Sequence, residues 1–587
     1  VIFVVTLVAA NSNALEVGHR DIAIEIKATW AAKPLALSQD VETDDMKVKV
    51  TRIDYLLSHA SLKRKDGSWL QTRDWFASFK HSAGRDTALI FGVPAEEFTA
   101  IRFSLGVDPE TNRSDPHLRG PEHPLNPEVN GLHWGWQGGY IFMALEGHFT
   151  TKSGNDGAYS LHLANDPHLV WVEVPLKLPP AGVGTIHLTL DLEQVFHGKN
   201  KINLTQGENS THSREGDPLA PKLAANLQNA FRLKTLSADQ FQSPSKAPAL
   251  KNQLSSPYPL SISARFPKVQ LPPDNFPTID GVALGERLFH ETNLSKTNKQ
   301  SCASCHDSSA AFADPGKRFS TGAEGQIGFR NAMPLFNLLW EKEFFWDGRV
   351  SGLRNQVLKP IQDPHEMNET LERVIGKLNS EKGYAERFEK TFGDPKITTE
   401  RISLALEQYL HSLISQDSKF DRAALNQTTL TPSEARGLQL FVTESDPKRG
   451  LKGADCFHCH GGMLFTDHEF HNNGLKLATR DIGRMTVTRS PADKGKFKTP
   501  SLRNIALTAP YMHDGRFETL QEVVEHYDHG VVHTDTLDPN LAKHPTQGLG
   551  LTSEDKADLV AFLRTLTDPK YNAQRPTLSQ TAPKTEP

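Results

Sequence analysis

Cys302-Ala303-Ser304-Cys305-His306 and Cys456-Phe457-His458-Cys459-His460 decide how this chain of 587 residues is read. The two stretches use all 4 cysteines of the sequence. Each is a C-x-x-C-H motif, the attachment signature of a c-type heme. The spacing has a chemical reason. Two thiols add across the two heme vinyl groups, and the adjacent histidine then lies under the iron as its proximal ligand. The competing readings are two disulfides, a thioredoxin-like pair and a zinc site. A redox pair needs no following His, and zinc would gather all the thiolates around one metal.

The surroundings of the motifs also repeat. Ala283-Leu284-Gly285-Glu286-Arg287-Leu288-Phe289 precedes the first, and Ala435-Arg436-Gly437-Leu438-Gln439-Leu440-Phe441 precedes the second. Both read as the opening helix of a small cytochrome domain, with Gly allowing close helix contact. Thr431, Pro432 and Glu434 supply a capping box with proline at the first helical position. Each half closes on an apolar helical stripe, Leu406, Tyr409, Leu410 and Leu413 in one, Leu559, Phe562, Leu563 and Leu566 in the other. We expect two mainly α-helical cytochrome c domains, 276–430 and 431–570, and a tail over 571–587.

The N-terminal part has another period. Ile22, Ile24 and Ile26 alternate with other residues, as do Val170, Val172 and Val174, then Ile186, Leu188, Leu190 and Leu192. Such runs, divided by Gly, Pro and Asp, predict an all-β antiparallel sandwich over 15–235. A Ser/Pro-rich stretch, 236–275, reads as a linker along the surface. Residues 1–14 resemble the end of a secretory signal peptide, the alternative being a buried N-terminal strand; the run is too short to span a bilayer. A periplasmic or otherwise exported protein with no membrane span is expected. The formal charge of −5 gives no case for nucleic-acid binding, which needs a concentrated basic footprint.

Beyond the motifs, residues 276–570 resemble the bacterial diheme cytochrome c peroxidase family, which includes the tryptophan-modifying MauG enzymes. The matching stretches are Arg330-Asn331-Ala332, Phe345-Trp346-Asp347-Gly348-Arg349 and Asp363-Pro364-His365-Glu366-Met367 in the first half. In the second they are Thr499-Pro500-Ser501-Leu502-Arg503-Asn504 and the run Leu507 to Gly515. The resemblance implies that His306 and His460 are the proximal ligands and that Trp346 lies between the hemes. It makes Glu366 the acid–base residue that shuttles the peroxide proton, with Gln356 and Pro360 lining the same pocket. It implies a calcium ion held by Asn331, Thr508 and Pro510. No histidine occurs between His306 and His365, so the first iron is expected to keep an open sixth position for hydrogen peroxide. The second is expected to take Tyr527, with Met512, Met485 and His526 as rivals.

Gly131-Leu132-His133-Trp134-Gly135-Trp136-Gln137-Gly138-Gly139-Tyr140, with Glu146-Gly147-His148 and Tyr159-Ser160-Leu161-His162, resembles the MbnP family of periplasmic copper-binding proteins. The usual partner of that family is MbnH, a MauG-type enzyme that converts an MbnP tryptophan to kynurenine, and this chain looks like the two fused. The resemblance makes His133, His148 and His162 candidate copper ligands. It makes Trp134 or Trp136 the candidate oxidation site, in cis or in a neighbouring copy; the plain alternative for both is a sandwich core. The expected activity is peroxide-dependent oxidation of a protein tryptophan. The alternatives are peroxide reduction with a soluble electron donor and a copper-binding or electron-transfer protein without catalysis.

Overall fold

A computed structural model describes residues 19–72, 74–134, 139–239, 255–446, 450–478, 480–545 and 547–572. The chain forms two compact units. The first comprises Val1–Arg113, Tyr140–Glu146 and Leu161–Pro244; the second comprises Ser114–Gly139, Gly147–Ser160 and Ser245–Pro587.

The first unit is built from strands with one wet and one dry face. In β1 (His19–Trp30), Ile22, Ile24 and Ile26 are fully buried. Further strands are β2 (Met46–Arg64), β3 (Thr87–Pro94), β4 (Phe98–Leu105), β5 (Ile141–Thr151), of which 141–146 belong to this unit, and β6 (Asp156–Ala164), of which 161–164 do. They are followed by β7 (Val170–Leu178), β8 (Thr185–Asp191) and β9 (Phe231–Ser237). β7 alternates buried and exposed residues along its whole length, the period-2 pattern read from sequence. One sheet runs β9–β8–β1 with β3 also on β1, and the other runs β7–β4–β2–β5–β6. Phe231 of the first sheet meets Tyr55 and Phe103 of the second edge-on, at centroid distances of 6.1 and 5.3 Å. One pairing departs from the antiparallel expectation: β1 and β8 run parallel, with Ile24 opposite Ile186. Both strands are buried and far apart in sequence, so no hairpin forces them antiparallel.

The heme-motif unit repeats one helix pair. α1 (Ile279–Phe289) packs on α2 (Thr399–His411), and α3 (Pro432–Phe441) packs on α5 (Ser553–Arg564), with α4 (Leu520–Glu525) between them in sequence. A Cβ at Gly285 would run into the Ala405 carbonyl, and one at Gly437 into that of Asp558. The two glycines are therefore the same device used twice, admitting a helix backbone where any side chain would collide. Thr431 and Glu434 form the expected capping box on α3, with Pro432 at its first position. The stretch expected as a linker is described from Ser255 onward, and there it packs firmly. Phe266 is buried against Trp340, and the Trp340 indole donates to the Pro267 carbonyl at 2.9 Å. Among the described residues no helix is long and apolar enough to cross a membrane.

Candidate heme and peroxide site

The two attachment motifs share one geometry. Each opens on a single 3-10 turn, Cys302–Ser304 and Cys456–His458. His306 Nδ1–H donates to the Phe312 carbonyl at 2.8 Å, and His460 Nδ1–H to the Phe465 carbonyl at 3.1 Å. That bond fixes the tautomer and leaves each Nε2 lone pair free to bind a metal. Burial lowers the pKa of both imidazoles, against the carbonyl each one faces, which keeps them neutral. All four cysteines are free thiols, so neither pair is a disulfide. Burial pushes the Cys302 and Cys456 thiols up to about 12.

The first motif opens on a cavity of about 560 Å³, within the roughly 300–1,000 Å³ typical of cofactor pockets. Cys302, Cys305 and His306 stand on its wall together with Trp346, Gln356, Pro360 and Glu366. Arg330, Arg349, Arg480 and Lys498 supply cations to the same wall, as porphyrin carboxylates require. Gln356 Oε1 is buried with no hydrogen-bond partner among the described residues, which marks an acceptor facing a ligand rather than the core. Paired thiols, a neutral histidine, an apolar slot and cations at its rim fit a covalent heme.

Glu366 is an acid of this cavity with a raised pKa. Burial and then Asp363 raise its pKa to about 7, against the opposing pull of Arg349 and His365. His365 also touches the cavity, but its side chain is 65% exposed and pairs with Asp363 at 3.4 Å. Trp346 is buried, and its Nε1–H donates to the Asn331 carbonyl at 2.9 Å. Its own carbonyl accepts from Lys498 N at 2.8 Å, so residues of both halves hold it.

At the second motif Tyr527 lies in a five-residue π turn, His526–Gly530, that continues α4. Such turns often mark functional positions. Burial raises the Tyr527 pKa, Asn473 opposes, and Cys459 and Cys456 are near enough to add to the rise. Asn473 Nδ2 lies 3.3 Å from the Tyr527 hydroxyl and 3.5 Å from Met512 Sδ. His526 Nε2 is engaged with the Asn473 carbonyl at 2.9 Å.

The predicted calcium residues converge on one loop. Asn331 Nδ2 donates to the Lys317 and Arg318 carbonyls, both at 3.2 Å, and its backbone N–H to His513. Gly316 N–H reaches the Ala509 carbonyl, between Thr508 and Pro510. Of the copper candidates, His162 is buried in the first unit. There it bonds Glu146 at 2.8 Å and packs edge-on against His212, a residue that sequence reading passed over. His133 and His148 belong to the second unit, and among the described residues neither joins a group able to hold one metal ion. Trp134 is buried in the second unit, while Trp136 lies outside the described residues.

Two arginines within the quoted motifs were not singled out by sequence. Arg330 grips Asp481 at 2.9 and 2.8 Å and Asp347 at 2.7 Å, joining the halves at the cavity wall. Arg503 is fully buried and holds both carboxylate oxygens of Asp421 at 2.8 Å. Their position inside recurrent motifs was the available signal.

The di-haem cytochrome c peroxidase family model matches residues 280–429, and the MbnP model matches residues 19–213. The methylamine utilization protein MauG of Methylophilus methylotrophus is 31% identical over 318 residues, covering 52% of this chain and 90% of that protein. The cytochrome c551 peroxidase of Nitrosomonas europaea is 33% identical, covering 51% of this chain and 83% of its own length. A solved MauG-like protein associated with microbial copper homeostasis is 31% identical, covers 54% of this chain and 98% of its own, and has a TM-score of 0.49. The chain belongs to the diheme cytochrome c peroxidase and MauG family. It is an oxidoreductase of a family that carries two hemes c, with an MbnP-like β domain on its N-terminal side.

Proposed function

We propose that this chain uses hydrogen peroxide to oxidise a protein tryptophan, with Trp134 or Trp136 as the target. The observation that carries the reading is the single cavity on which Cys302, Cys305, His306, Glu366 and Trp346 all stand. Cys302, Cys305 and His306 would hold one heme, and Cys456, Cys459, His460 and Tyr527 the other. When bound, the hemes would supply the redox chemistry, the two-electron oxidation of substrate by peroxide. Glu366 Oε takes the proton from the inner peroxide oxygen and returns it to the outer one, a transfer suited to a carboxyl poised near neutrality. Gln356 orients the peroxide through its unpartnered carbonyl. Trp346 is the aromatic relay between the halves. In balance, tryptophan and hydrogen peroxide give hydroxytryptophan and water; further rounds would lead toward kynurenine.

Calcium at Asn331, Thr508 and Pro510, copper with His162 as a ligand, and export from the cytoplasm belong to the same reading. Mass spectrometry of the purified holoprotein after peroxide tests it. The expected result is one added oxygen on Trp134 or Trp136, and an unmodified peptide after complete peroxide consumption would overturn it. The similarity to a cytochrome c551 peroxidase favours a second reading, peroxide reduction with a soluble donor protein. Sustained turnover with such a donor, leaving both tryptophans intact, would establish that one.

A further inference from the structure

Segment 114–134, which carries Trp134, clusters with the heme-motif residues, as does 147–160. What fastens it is a row of charged side chains. Glu128 stands on the one-turn helix Pro127–Asn130, capped by Asn126, whose side chain accepts from Glu128 N–H. Its carboxylate lies 3.0 Å from His468 Nε2, and His468 Nδ1 lies 3.2 Å from Glu341, both as ion pairs without hydrogen-bond geometry. Glu341 pairs in turn with Lys498. Lys498 N–H bonds the Trp346 carbonyl, and Glu341 and Lys498 both stand on the cavity wall. The row thus runs from the segment bearing Trp134 to the backbone of Trp346.

Three further facts indicate that this contact is built. The four side chains are only 19%, 19%, 12% and 4% exposed from Glu128 to Lys498, so solvent screens them little. His468 sits at a positive φ of 60°, a backbone state that a non-glycine residue keeps only when its surroundings hold it. A second fastening lies beside the first. Asn126 Nδ2 donates to the Lys268 carbonyl at 3.2 Å, and Lys268 Nζ donates to the Leu118 carbonyl at 3.0 Å. Burial would lower the His468 pKa, but Glu341 and Glu128 outweigh it and raise it to about 10, so the imidazole is charged at neutral pH.

We propose that His468 is a positioning residue, the cationic centre of a clamp that seats segment 114–134 on the heme-motif residues and makes tryptophan oxidation intramolecular. The clamp deepens the function proposed above and rests on it for its purpose, though not for its existence. Hydrogen exchange of the holoprotein, without peroxide, reads the clamp directly. Peptides covering 118–134 are expected to exchange at least about tenfold faster in His468→Gln, as when one partner of a buried ion pair is lost. His468→Arg should restore most of the protection by restoring the cation. Glu128→Gln removes the opposite end without touching the second motif, and keeps the test open if His468→Gln folds poorly. Unchanged exchange in both neutral variants would overturn the clamp. With peroxide, the first-order rate of oxygen addition to Trp134 should not depend on protein concentration. It should fall in His468→Gln while turnover with a small dye donor holds. A rate proportional to concentration would overturn the intramolecular assignment. No oxygen on any tryptophan of the unaltered chain would remove the proposed function and leave the exchange result to judge the clamp.

Discussion

The two halves of the heme unit hold their attachment motifs alike and surround them differently. His306 and His460 each spend Nδ1–H on a backbone carbonyl, and Gly285 and Gly437 each admit a crossing helix. Around the first motif stand an acid raised to about 7, an unpartnered amide oxygen and an open cavity. Near the second, Tyr527 and Met512 crowd one asparagine. In the proposed function the shared scaffold would hold each iron, and these side chains would leave the first open to peroxide and set the second against a protein ligand.

The sharpest way to break the contrast is to remove the raised acid of the first half. Glu366→Gln should lower kcat/KM for peroxide by about 10²–10⁴-fold, the usual worth of a positioned proton acceptor. The pH profile carries an independent signature. On the proposed function ionised Glu366 would take the proton, so activity should rise with pH through about 7 and level off above it. The variant should lose that limb. The stability sign is opposite. A carboxyl whose folded pKa is raised binds more protons when folded, so its contribution falls as pH climbs from the ordinary carboxylate range to about 7. Glu366→Gln should therefore melt higher than the unaltered chain above pH 7 and show no such gain under acid. A full peroxide rate in the variant would remove the distinction between the halves.

Arg503→Ala comes next, because it attacks what ties the halves together. It strands Asp421 in the interior, a loss of about 3–5 kcal/mol, measurable by denaturant unfolding. Arg503→Lys should recover little, since an ammonium cannot hold both carboxylate oxygens as the guanidinium does.

These expectations differ in how far sequence alone supports them. The attachment motifs, the α3 cap, the crossing glycines and the alternation of β7 are local patterns, and each was legible from spacing. Legibility ended where partners lie far apart along the chain. Nothing near His468 in sequence announces Glu128 or Glu341, and nothing near Ile24 announces its parallel partner Ile186. His212 beside His162 and the π turn at Tyr527 are of the same kind. Segment 114–139 is the largest instance. Its residues 114–134 read as part of a sandwich, yet Asn126 and Glu128 reach Lys268 and His468.

The glycine pair sharpens the likeness of the halves. Gly285→Ala and Gly437→Ala each force a methyl against a helix carbonyl, so each should cost about 1–3 kcal/mol as overpacking does. Matched losses in thermal unfolding would support one duplicated design. A loss at only one site would mean that the two helix crossings relax differently.

The smallest effect is expected at the second iron, where the choice of ligand is finest. Tyr527→Phe keeps the ring and its packing but removes the oxygen donor. An anionic oxygen favours the oxidised metal, so its loss should raise the reduction potential of the second heme and change its absorption, while the peroxide step at the first is unaffected. Met512 is the informative control, because Asn473 lies 3.3 Å from the Tyr527 hydroxyl and 3.5 Å from Met512 Sδ. If Tyr527→Phe leaves the second heme unchanged and Met512→Leu shifts it, the thioether is the ligand and Tyr527 is packing. His526 is the weakest rival, since its Nε2 already bonds the Asn473 carbonyl and would have to release it to reach a metal.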